Sequence, residues 1–260
     1  MSEYTVTSFP PERALVVDAG YMGTGRHIIY GLLEVDITKP RALMKSMAPR
    51  GAVRMSFTAF IVASLAKAIE SAPKVQALRD WRGRLVIFND VDVVTMIEPE
   101  PGKVAIPHII REANQKSFLQ INDEIRAVQG KPESSQQGGK LVSLAPKLPR
   151  FVRLFFFWVV KKNPFWFRSL EGTVVVTSVG MFGKGGGWGI GFLPSHNLGV
   201  TVGGIAQKPI IVDGQLVERE FLNLTLSFDH DIVDGAPAAR FAKRFTELIE
   251  NGSVLEQADV

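Results

Sequence analysis

The run from Phe221 to Gly235 limits what this chain can fold into more than any other part of it. Phe221-Leu-Asn-Leu-Thr-Leu-Ser-Phe228 alternates with period two, which predicts a half-buried strand. Residues 236–250 repeat apolar side chains at helical spacing, which predicts an amphipathic helix. The connection is Asp229-His230-Asp231-Ile232-Val233-Asp234-Gly235. His230 thus sits at a strand-to-helix junction, on a rigid scaffold. Its imidazole is the side chain whose ordinary pKa lies nearest neutrality, so it is a candidate general base. Taken alone, a histidine between aspartates at a strand end is more often a surface turn than a catalyst. Gly235 suits the tight turn into the helix.

Strands are predicted over 28–37, 84–97, 103–108, 172–179, 197–206 and 220–228, and helices over 39–47, 55–71, 117–128, 150–161 and 236–250. They alternate without a strict β-α-β repeat, which favours an α/β sandwich with mixed strands over a doubly wound nucleotide fold. Residues 131–140, Lys-Pro-Glu-Ser-Ser-Gln-Gln-Gly-Gly-Lys, read as a flexible loop inside one domain spanning 1–260.

With 46% hydrophobic and 22% charged residues, the chain can bury a sizeable core. The absence of cysteine removes disulfides, thiolate metal sites and cysteine nucleophiles. No histidine is spaced with another histidine or a carboxylate as metal ligands are, so no metal is expected. No apolar run reaches the roughly eighteen residues of a membrane span, and the N-terminus lacks a signal-peptide pattern, which makes the cytoplasm the default expectation. The net charge of +4 is spread along the chain instead of forming a basic block. That argues against nucleic acid and is compatible with an anionic small-molecule partner.

Asp229, His230, Asp234 and Gly235 match the Asp-His-x-x-x-Asp-Gly signature, and here the chain resembles the catalytic domain of 2-oxo acid dehydrogenase dihydrolipoyl acyltransferases, of the chloramphenicol acetyltransferase-like superfamily. Glu34–Thr38, Met55–Glu70, Val104–Ser117 and Gly172–Gly180 resemble further segments of that family in the same order, over roughly residues 10–250. Residues 133–170 have no place in the resemblance. Asp231 departs from it, since the family usually has arginine after the histidine. The resemblance implies an α/β, chloramphenicol acetyltransferase-like two-layer sandwich with a mixed sheet. It implies an acyltransferase that moves an acyl group between a coenzyme A thioester and a thiol such as dihydrolipoyl. His230 would be the base and Thr177 the oxyanion donor, with Ser178 taking that role if the register slips by one. Asp234, a second carboxylate four positions past His230, is a candidate to orient the imidazole; the resemblance implies that it chiefly supports the site through an arginine near the N-terminus, for which Arg13 is the candidate, with Gly235 at the turn. A homotrimer, or a multiple of trimers, is implied, with the site between subunits. No lipoyl or peripheral-subunit-binding domain is recognised, so a lipoyl group would arrive in trans on a lipoyl-bearing protein. Two alternatives stay open: a non-catalytic scaffold or binding subunit, and an acyltransferase acting on a small alcohol or amine.

Two other features stand out. Gly180-Met-Phe-Gly-Lys-Gly-Gly-Gly-Trp-Gly-Ile-Gly191 is not a phosphate loop, because Lys184 precedes glycine instead of Ser or Thr; close backbone approach is the better reading. Arg150–Arg168 is aromatic, bracketed by basic residues and too short to cross a bilayer. Core or subunit packing is the first expectation for it, and contact with a membrane surface through 150–168 the second. His27, His108 and His196 are expected to be structural, with His27 placed near the cleft by its position at a strand start.

Overall fold

The computed structural model describes residues 4–10, 13–47, 55–98, 106–131, 135, 147–180 and 185–256. Six strands form one sheet: β1 Ile28–Asp36, β4 Val93–Ile97, β5 Ile106–Ile110, β6 Val174–Ser178, β7 Leu198–Val212 and β8 Gln215–Asp229, in the order β1-β8-β7-β6-β4-β5. β6 runs parallel to both β4 and β7, and the other pairings are antiparallel. β2 Leu78–Arg79 and β3 Leu85–Val86 make a separate small hairpin.

The helices are α1 Arg13–Gly23, α2 Thr38–Met47, α3 Phe57–Ser71, α4 Phe118–Gly130, α5 Arg150–Lys162, α6 Pro164–Glu171, α7 Gly235–Asn251 and the short α8 Ser253–Glu256. α3 buries ten of its fifteen residues, as a helix apolar on most sides must. α4 starts at a capping box in which Ser117 and Gln120 satisfy each other's backbone N–H groups. α7 directs Ala238, Phe241, Phe245, Leu248 and Ile249 inward, and Phe241 meets Phe228 of β8 edge to face at 5.9 Å. These helices and one face of the sheet enclose the main core, which makes the molecule a two-layer α/β sandwich with a mixed sheet.

The structure departs from the sequence reading in four places. The single strand expected over 84–97 divides into β3 and β4, because Gln76 Nε2 bonds the carbonyls of Phe88 and Asp90 and Asn114 accepts from Val91 N. Those side chains occupy backbone groups that a strand partner would need. β7 and β8 run on past 206 and back from 220 as a hairpin arm turning at Asp213-Gly214, where both φ angles are positive. α1 and α6 were not expected. The fourth departure concerns residues 150–162. They are helical, but Phe151, Phe155, Phe156 and Trp158 are exposed, so the expected core packing does not hold for them within the chain. The strand expected over 103–108 is described only from Ile106, and the loop over 131–140 lies almost wholly outside the described residues.

The glycine-rich segment lies across the sheet face opposite the helices. Gly187 O accepts from Gly204 N at 2.9 Å, and Trp188 Nε1 donates to Leu33 O on β1 at 3.0 Å. A Cβ on Gly203 would stand 2.4 Å from Gly187 O, so close backbone approach is what this glycine supplies. Residues 181–184, including Lys184, lie outside the described residues.

Candidate active site

His230 follows the last residue of β8, and its backbone is fixed from several sides. Its N–H donates to His27 O at 2.7 Å, and Ile232 N and Val233 N both donate to Asp229 O at 3.0 Å. Asp231 N donates to Asp229 Oδ1 at 3.1 Å. The Asp229 carboxylate is itself clamped by Arg26, through Nη2 at 2.7 Å and Nε at 3.2 Å, and Arg26 Nη2 also reaches Asn197 Oδ1 at 2.7 Å. Asn197 continues the network to Ala77 O. Both Arg26 donors converge on the same carboxylate oxygen, Oδ2, and both side chains are nearly buried, so this charge-assisted bond ties the residues just before β1 and β7 to the end of β8 at the base of the motif. The His230 ring stays 44% exposed. The turn is rigid and its imidazole is free.

Asp234 is the N-cap residue of α7 but makes no capping bond through its side chain. Its Oδ1 lies 4.0 Å from His230 Nδ1, beyond hydrogen-bond length. Arg13 opens α1 and is exposed, and no bond joins it to Asp234 among the described residues. The N-terminal arginine that meets a carboxylate of the motif is Arg26, and that carboxylate is Asp229. Gly235 begins α7, with open space where a Cβ would stand. Sequence reading missed Arg26 because 203 residues separate it from its partner.

Thr177 and Ser178 end β6 and are half-buried. Val174 and Val176 point into the core, so Ser178 shares their face and Thr177 lies on the opposite one, under Gly191 of the glycine-rich segment. Thr177 stands opposite Thr201, and Thr201 opposite Thr225. Thr177 is therefore level with a residue five positions before His230 and lies two strands away, roughly 17 Å along the sheet and 10 Å across it. One chain does not bring these two side chains together.

His27 Nδ1 lies 2.9 Å from Asp231 Oδ1, and this hydrogen bond holds the Asp231 carboxyl below the usual carboxylate range. His196 is buried, with Nε2 2.8 Å from Glu171 O and its ring edge to face with Phe167; burial drives its pKa down to about 4. His108 meets Glu124 at 3.0 Å. Beside the His230 turn, a cleft of about 240 Å³ is lined by Arg26, Arg79, Lys161, Lys162, Asp229 and Asp231, among others. Among the described residues no group of three His, Cys, Asp or Glu could hold a metal ion, and no helix is long and apolar enough to cross a membrane.

This mixed sheet, backed by helices and ending in a rigidly held Asp-His-x-x-x-Asp-Gly turn, defines the acyltransferase class of two-layer α/β proteins. Chloramphenicol acetyltransferase superposes with a TM-score of 0.54 at 13% identity, covering 93% of this chain and 96% of its own. The chain belongs to the family of 2-oxoacid dehydrogenases acyltransferase (catalytic domain), which matches residues 28–138 and 169–256. A probable dihydrolipoamide acetyltransferase of Listeria monocytogenes has the same fold, with a TM-score of 0.72 at 20% identity over 96% of this chain and 95% of the other. The dihydrolipoyllysine-residue acetyltransferase component of the pyruvate dehydrogenase complex of Rickettsia conorii is 27% identical over 199 residues, 76% of this chain and 40% of the relative. The chain thus spans less than half the length of such relatives.

Proposed function

We propose that this chain transfers an acyl group between a coenzyme A thioester and a thiol such as a dihydrolipoyl group carried in trans by another polypeptide. The observation that carries this reading is the His230 turn, whose backbone is pinned by His27 and the Asp229–Arg26 clamp while the imidazole remains open. Neutral His230 takes the proton of the attacking thiol. With reference pKa values of about 6.5 and 8.5, that transfer is uphill by only about 2 pKa units. The thiolate adds to the thioester carbonyl, and the tetrahedral intermediate then expels the coenzyme A thiolate, to which His230 returns the proton. Nδ1 lies on the side of Asp234, which leaves Nε2 as the nitrogen for this exchange.

The developing oxyanion needs a donor, and Thr177 is the residue assigned to it. Its distance from His230 within one chain supports a site shared by neighbouring copies, in a homotrimer or a multiple of trimers. Residues 1–260 act as one catalytic domain in this reading. The exposed aromatic face of α5 supports a contact outside the chain, taken first as one between copies and second as one with a membrane surface; vesicle co-sedimentation of the protein would favour the second.

His230→Ala tests the proposal. Transfer from acetyl-coenzyme A to dihydrolipoamide should fall by about 10²- to 10⁴-fold with the unfolding transition unchanged. A variant that keeps full thioester exchange removes His230 as the base. A wild-type protein inert with dihydrolipoamide, alcohols and amines alike supports the scaffold reading instead.

A further inference from the structure

The cleft beside the His230 turn is unbalanced in charge. Four cations line it, Arg26, Arg79, Lys161 and Lys162, against the two carboxylates of Asp229 and Asp231. Both carboxylates are already engaged, Asp229 by Arg26 and Asp231 by His27. Lys161 Nζ donates to the neutral carbonyl of Met22 at 2.9 Å, and among the described residues neither Arg79, Lys161 nor Lys162 has an ion pair. Three cationic groups therefore face one small space without a counter-charge. Two of them stand at the end of α5, inside the stretch 139–168 that the family match leaves out. Arg79, the third, lies within the matched residues, so the unmatched stretch supplies two of the three charges.

We propose that the cleft binds an anionic group, a carboxylate or a phosphate, borne by a substrate of the His230 site, with Lys161, Lys162 and Arg79 as its recognition residues. The inference rests on the acyl-transfer reading for the identity of that substrate. The physical case is that like charges crowded in a half-buried site repel one another and gain from an anion that satisfies their N–H donors. Burial lowers the Lys161 pKa; the charge of Arg26 lowers it further, Asp229 opposes this, and Lys162 and Arg79 again lower it, in keeping with an excess of positive charge around the cleft. Leu78, Phe167 and Ile232 supply an apolar wall, so the cleft suits an anion at the end of a carbon chain or a ring better than a bare ion.

Calorimetric titration of the full chain with inorganic pyrophosphate and with succinate tests the cleft without any turnover. The wild type should bind at least one of the two saturably. Lys161→Gln combined with Lys162→Gln should weaken that binding by at least about tenfold, as expected for losing charge-assisted hydrogen bonds. Because Lys161 also ties α5 to Met22, Arg79→Gln serves as a second variant at an exposed position and should weaken binding in the same direction. Competition by adenosine 3′,5′-bisphosphate assigns the site to the nucleotide end of coenzyme A, and competition by succinate alone assigns it to a carboxylate on the acyl group or the acceptor. No saturable binding of either probe, or equal binding by wild type and both variants, overturns the inference. Anion binding by a chain that fails the acyl-transfer assay would instead sink the catalytic reading and leave the anion site standing.

Discussion

His196 shows how burial sets the charge state of a single residue in this fold. It is 4% exposed, and its pKa falls from 6.5 to about 4 because the protein interior disfavours the imidazolium. The unfolded chain takes up a proton near pH 6.5 and the folded chain only near pH 4, so this residue's contribution is complete above pH 6.5 and is lost as pH falls towards 4. Urea unfolding should show His196 costing about 2 kcal/mol between about pH 7 and pH 5. His196→Gln, whose amide can still donate to Glu171 O, should flatten that part of the pH profile; an unchanged slope would assign it to other groups. The structural role expected for His196 was readable from its isolation in a Pro-Ser-His-Asn turn. The Arg26–Asp229 clamp was not readable, since nothing local to Arg26 marks it and only the pairing of β1 with β8 brings the two ends together.

Among the elements, those carrying their own signals were visible in advance. The alternation of β8, the apolar spacing of α7 and the Ser117–Gln120 cap of α4 all act within a few residues. α6 was not foreseen although it carries a start signal, Pro164 at its first turn and Asn163 accepting from Phe165 N and Trp166 N, hidden inside what reads as one aromatic run. α1 has no comparable signal. Its glycines and paired valines favour helix weakly, and it is held by tertiary contacts: Asp18 is 1% exposed and bound by Arg153 at 2.6 Å and Arg150 at 3.3 Å, both from α5. Arg153 is 10% exposed and Arg150 57%. Arg153→Ala should therefore cost about 3 kcal/mol by leaving a buried carboxylate with only its solvated, longer partner Arg150. Arg150→Ala should cost less than about 1 kcal/mol, as solvated pairs do. Equal losses for the two in urea denaturation would show that Asp18 does not depend on the buried partner.

For the whole molecule, the separation of His230 from Thr177 turns a mechanism into a question about assembly. Thr177→Val, which keeps the side chain's shape, should slow transfer by about 10²- to 10³-fold if the hydroxyl stabilises the oxyanion. Co-expression of His230→Ala with Thr177→Val chains should restore part of the lost activity, because some boundaries in a mixed oligomer then hold one intact histidine and one intact threonine. Mixed oligomers as inactive as either parent would rule out a shared site. The motif residues could be read from the chain, and the family resemblance already implied a site between subunits; the register of β6, β7 and β8 adds the distance that separates His230 from Thr177 within one copy.

The passage of the glycine-rich backbone over the bare side of the sheet carries a consequence for how this surface can change. Gly203 and Gly204 lie where the β7–β8 register shifts, and Gly185 and Gly187 press on them main chain to main chain. With no side chains at the crossing there is nothing to trim or enlarge one position at a time. Such a strap can be redesigned only by replacing it together with the bulge beneath it, as a key is recut with its lock.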